Sequence, residues 1–106
     1  MLTVKKGAYN PGVTQNFTTT SSCAVSSPVG SNTTIVRVAV NQDTWVLLGP
    51  GLTTSAFTVT SNLATNNAFL IPAGGVEFFV VDGIAGTIVA FAYNTTAGQI
   101  SITELA

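Results

Sequence analysis

The chain has 106 residues, with three Lys plus Arg, four Asp plus Glu and no His, so 7% of it is charged, against about 25% in ordinary soluble domains. Hydrophobic residues make up an unexceptional 46%, and 17 Thr, 8 Ser and 8 Asn take the place of charge. This length fits one domain. The balance of apolar content and a net charge of -1 excludes general disorder, and the longest apolar run, Ile88 to Tyr93, is far short of the roughly 20 residues of a membrane-spanning helix.

The N-terminus reads Met1-Leu2-Thr3-Val4-Lys5-Lys6-Gly7. No apolar stretch of about 7 to 15 residues follows the two lysines, so a secretory signal is not expected and cytoplasmic synthesis is the default. Residues 1–33 are Thr, Ser, Asn, Gly and Pro with scattered apolar residues. That segment is read as an extended arm or as edge strands laid on a core, with one strand near Ser21 to Val25. From Thr34 onward, apolar runs alternate with turn signals, which is an all-β rhythm. Strands are expected at 34–40, 44–48, 56–60, 67–71, 76–81, 86–93 and 99–105, separated by Asn41-Gln42-Asp43, Gly49-Pro50-Gly51, Pro72-Ala73-Gly74-Gly75, Asp82-Gly83 and Asn94 to Gly98. Thr, Val, Ile, Phe and Gly dominate, and these favour strands or break helices. The fold class is therefore all-β, an antiparallel β-sandwich or jelly-roll-like barrel of about seven to eight short strands. A meander is the simplest route through connections this short.

Side-chain alternation assigns the faces. Val36, Val38 and Val40 share one face of their strand and Ile35, Arg37 and Ala39 the other, so Arg37 faces solvent or a partner. Glu77 points opposite to Val76 and Phe78, to a solvent or interface face. Trp45-Val46-Leu47-Leu48, Phe78-Phe79-Val80-Val81 and Ile88-Val89-Ala90-Phe91 are apolar on both faces. One face of a sheet in a two-layer sandwich is normally wet, so something must cover the second apolar face, either the N-terminal region or another subunit.

The chemistry available is narrow. Cys23 is the single cysteine, without a second thiol or any imidazole for a disulfide, a zinc site or a Cys-His pair. Asp43 and Asp82 sit in turns, where a carboxylate ordinarily accepts from backbone N–H groups. Calcium needs several oxygen ligands in one loop, and no loop holds more than one acid. With basic residues limited to Lys5, Lys6 and Arg37, no phosphate-neutralising patch can form. The expectations are no enzymatic activity, no cofactor, no metal, no nucleic-acid partner and no membrane partner. Asn-x-Thr sequences at Asn16, Asn32 and Asn94 carry no weight without a secretory signal.

Three stretches carry a resemblance: Thr34 to Gly49, with an Arg-bearing strand, a polar turn and an apolar strand ending in Gly; Asn67 to Phe79, with Ile71-Pro72-Ala73-Gly74-Gly75 leading into Val76-Glu77-Phe78; and Gly86 to Phe91 with the closing Gly98 to Leu105. Over about 70 of the 106 residues this resembles the small β-structured virion proteins of tailed bacteriophages, with Trp45 and Phe78-Phe79 bulkier than in that group. The resemblance implies a capsid-associated decoration or cement protein on the outer surface of a phage head, made in the host cytoplasm. Its expected partners are the major capsid protein and copies of itself, a trimer at local three-fold positions being the expected oligomer. Residues expected at partner interfaces are Lys5, Lys6, Arg37, Trp45, Glu77, Phe79 and Tyr93. Two alternatives stand beside it: a neck, tail or fibre-associated component of the particle, and a carbohydrate-binding β-sandwich using Asn, Thr and an exposed Trp45 or Tyr93.

Overall fold

A computed structural model describes residues 11–81 and 86–106. Lys5, Lys6 and the expected Asp82-Gly83 turn lie outside the described residues. The described residues form ten strands: β1 (Pro11–Thr18), β2 (Ala24–Val25), β3 (Ile35–Val40), β4 (Thr44–Pro50), β5 (Val59–Thr60), β6 (Leu63–Ala64), β7 (Phe69–Ile71), β8 (Val76–Val80), β9 (Thr87–Tyr93) and β10 (Gln99–Leu105). Eight of them form two four-stranded antiparallel sheets, ordered β1-β10-β3-β8 and β2-β9-β4-β7. The fold is the all-β sandwich expected, and the strand order gives it jelly-roll topology.

One folded ribbon generates the whole arrangement. Paired residue numbers add to 115 in β2–β9, β3–β8 and β4–β7, and to 117 in β1–β10 from Thr14 on, after a bulge. The chain thus doubles back on itself about the 51–68 segment, and the double ribbon then wraps so that β10 meets β3 and β9 meets β4. The expected meander is corrected here. Consecutive strands such as β3 and β4 are joined by a short turn yet lie in opposite sheets, because each has an apolar face that is best buried against the other layer.

Inward faces supply the main core: Val36, Val38, Val40, Ile100 and Ile102 from the first sheet meet Val46, Ile71, Val89 and Phe91 from the second. Phe17 from β1 closes one side with its ring 5.2 Å from that of Phe91. The expected alternation in β3 holds for its three valines, all nearly or fully buried. Ile35, on the opposite face, is also buried, flanked on neighbouring strands by Leu105 and Val80.

Doubly apolar β4 and β9 are explained by a second layer of packing. Trp45, Leu47, Ala90 and Ala92 point away from the main core and pack with Leu52, Ala56, Phe57, Val59, Ala64 and Ala68. The 51–68 segment therefore covers the outer face of the second sheet, and Phe57 within it is 1% exposed. Its expected strand at 56–60 is only the two-residue β5, paired with β6 through Ser61 and Asn62, both at positive φ, as a tight two-residue hairpin turn requires. The N-terminal region does a different job. β1 and β2 are edge strands of the two sheets, and Ser26 and Val29 extend the second edge by donating their N–H groups to Val89 O and Thr87 O, each at 2.9 Å.

Candidate functional site: the outer face of the first sheet

Cross-strand register lays out this face in rows. Thr14, Thr103, Arg37 and Phe78 form one; Asn16, Ser101, Ala39 and Val76 the next; Leu105, Ile35 and Val80 a third. The face is divided. Its β1–β10 side is neutral and polar, with Thr14 and Thr103 hydroxyls 3.2 Å apart and a shallow groove of about 410 Å³ walled by Asn16, Thr18, Ala39, Asn41, Gln99 and Ser101 among others. The β8 side is apolar and open, with Val76 40%, Phe78 59% and Val80 63% exposed. Nothing among the described residues covers these three side chains in the way that residues 51–68 cover the second sheet.

The residues expected at interfaces are scattered. Arg37 is half-buried on this face, between Thr103 and Phe78. Glu77 is exposed and lies opposite to Val76 and Phe78 as expected, but the sides are exchanged: Val76 and Phe78 occupy the open face, while Glu77 shares the inward side with Phe79. Position on an edge strand lets its carboxylate reach solvent past the rim of the core. Phe79 turns inward, half-buried, its ring 5.2 Å from Phe69. Trp45 is half-buried on the other sheet, and its Nε1 donates to Asn94 Oδ1 at 3.0 Å. Tyr93, also half-buried, ends β9 opposite Thr44. Among the described members of the expected set, Arg37 lies beside the apolar patch on this face and Glu77 and Phe79 alternate with its residues on the inward side; Val76, Phe78 and Val80 themselves were not in that set, although Phe78 and Val80 belong to a run read as apolar on both faces.

The remaining titratable groups serve the fold. Asp43 Oδ1 accepts from Ala73 N–H at 2.8 Å, tying the β3–β4 turn to the β7–β8 turn. Buried Glu104 uses Oε1 to accept from Gly30 N–H and Thr33 Oγ1, both at 2.7 Å, and Gln15 grips the same segment by accepting from Ser27 N–H and donating to Ser27 O. Cys23 is buried, and desolvation pushes its thiol pKa up from the usual value against smaller downward contributions from hydrogen bonds. Among the described residues no three His, Cys, Asp or Glu come together as a metal site. In comparisons with known proteins, no family model, no curated protein and no solved structure matches this chain.

Proposed function

We propose that this protein is a non-enzymatic structural component of a phage particle, a decoration protein that binds the outer surface of the head and stabilises the shell. The observation that carries the reading is the divided outer face of the first sheet: an open apolar strip at Val76, Phe78 and Val80 beside a neutral hydroxyl and amide surface. Such a face binds through packing and uncharged hydrogen bonds, and exposed apolar patches on small domains mark contact surfaces. Jelly rolls recur in viral capsid proteins, although a fold alone does not assign a function. Many weakly bound copies acting together stabilise a shell without any single large interface.

Imaging of intact particles tests this. Copies distributed over the shell in the hundreds are expected, and a vertex ring of about six or twelve copies would instead make the protein a neck or tail component. The carbohydrate-binding alternative relies on Trp45 or Tyr93 as stacking surfaces; with Trp45 held by Asn94 and packed under residues 51–68, we do not advance it.

A further inference from the structure

The four edges of the two four-stranded sheets are unequal. β1 is bulged between Pro11 and Thr14, β2 has two residues, and β7 has three and is followed by Pro72. These are the usual devices that stop an edge from recruiting another strand. β8 has no bulge, no Pro and no shortening, and the one charge it carries, Glu77, lies on the inward side and is exposed at the rim. Its five residues pair with β3 without a register shift, it contains no Pro or Lys, and its outward side chains are apolar.

Hydrogen-bond phase decides which backbone groups are open. Val81 N–H donates to Thr34 O at 2.9 Å and Val40 N–H to Gly75 O at 3.1 Å, with Val36 opposite Phe79 and Val38 opposite Glu77 in between. Antiparallel ladders alternate, so Glu77 and Phe79 direct their N–H and C=O groups to β3. Val76, Phe78 and Val80 direct theirs to the open side, and among the described residues no hydrogen bond reaches them there. The residues with exposed side chains are the same ones with open backbone groups.

We propose that two copies of this chain pair antiparallel through β8, with Phe78 facing its own counterpart on a two-fold axis, joining two four-stranded sheets into one. Val76-Glu77-Phe78-Phe79-Val80 is close to a palindrome, so this register sets Val76 against the partner's Val80 and gives every outward N–H and C=O of both strands a partner. On the outer face it pairs valine with valine and phenylalanine with phenylalanine, favourable cross-strand neighbours. Charge selects the same register. Glu77 falls opposite the partner's Phe79, whereas centring the axis on Glu77 sets carboxylate against carboxylate. With Glu77 the strand's only charge and a net charge of -1 per chain, little repulsion opposes the approach. A second copy fits this edge better than a basic or acidic partner, which would find almost nothing to neutralise. A five-residue edge is about 17 Å long, which places the contact among small, transient interfaces under about 1,200 Å². Pairing is therefore weak in dilute solution and becomes persistent where copies are held in an array. The pairing does not depend on the capsid reading, and its two-fold symmetry differs from the three-fold arrangement expected with that reading.

Sedimentation equilibrium of the full chain, from about 10 μM to about 1 mM, is expected to pass from the 10.8 kDa monomer toward twice that mass. Phe78→Lys alters an exposed side chain and opposes two ammonium groups, so it should weaken association roughly 100-fold or more with unchanged circular dichroism. Val80→Lys is a second variant with the same expected direction. In a Cys23→Ala background, Phe78→Cys should form an intermolecular disulfide on oxidation and Val76→Cys should not, because only residues on the axis come within disulfide reach. A monomer at every concentration overturns the proposal, as does a trimer, a dimer indifferent to both lysine variants, or cross-linking by Val76→Cys but not Phe78→Cys.

Discussion

Replacing Glu104 tests how the N-terminal segment is held to the sandwich. Its side chain is 8% exposed, and a single oxygen, Oε1, accepts from both Gly30 N–H and Thr33 Oγ1 at 2.7 Å. Glu104→Ala removes the acceptor of the Gly30 amide and leaves a space the loop must collapse into. Hydrogen bonds to charged groups contribute about 1.5–3 kcal/mol each and unsatisfied buried donors cost about 1–3 kcal/mol. Because the Thr33 hydroxyl can rotate to another acceptor, the net loss should be about 2–4 kcal/mol, a large part of the roughly 5–15 kcal/mol stability of a typical domain. Glu104→Gln retains an acceptor oxygen and should lose only about 1 kcal/mol. Urea unfolding of wild type, both variants, Thr33→Val and the Glu104→Ala/Thr33→Val double mutant gives these losses and the coupling between the two sites. Hydrogen exchange at Gly30 should accelerate in Glu104→Ala before global unfolding. If Glu104→Ala lies within about 0.5 kcal/mol of wild type, a difference typical of neutral surface changes, the clamp is not structural. If Gln costs as much as Ala, charge and not acceptor geometry holds the segment.

Burial of Cys23 makes its thiolate less favourable in the folded state than in the unfolded chain. Stability contributed by this group is fully present below the unfolded pKa of about 8.5 and is lost as pH rises above that value toward the raised folded pKa. The unfolding midpoint should fall in that alkaline range, and less so in Cys23→Ala; identical alkaline profiles refute the account. Thiol-reactive dyes at pH 8 should label native Cys23 at least about tenfold more slowly than the urea-unfolded chain. Gly98→Ala should cost about 1–3 kcal/mol by thermal melting, since a Cβ there runs into Asn41 Oδ1 and the Gln42 side chain while Gly98 is held by Thr19 through both N–H and C=O. The proposed attachment to a phage head should change little with moderate added salt, because so few charges exist to be screened; release by such salt contradicts a packing-based attachment.

Much of the fold was legible from local chemistry. Thr44 to Gly49 and Thr87 to Tyr93 declare themselves as strands through β-branched and aromatic runs bounded by polar or Gly-rich turns, and Val36, Val38 and Val40 announce a buried face by their spacing. Tertiary structure decided what local signals cannot carry. β1 contains only Phe17 as a large inward apolar residue, because an edge strand gains its stability from a ladder with β10, more than 80 residues away in the chain. Trp45 looks like a binding residue until the 51–68 segment is seen packed on it. For Val76 to Val80, period two separated Glu77 from Val76 and Phe78 but could not say which side meets the core. That choice depends on the strand's neighbours, since at an edge a carboxylate can reach water from the inward side while valine and phenylalanine remain open on the other. Sequence alone determined a charge-poor β domain; the pairing of distant segments decided that its apolar surplus lies partly covered on one sheet and partly exposed along β8.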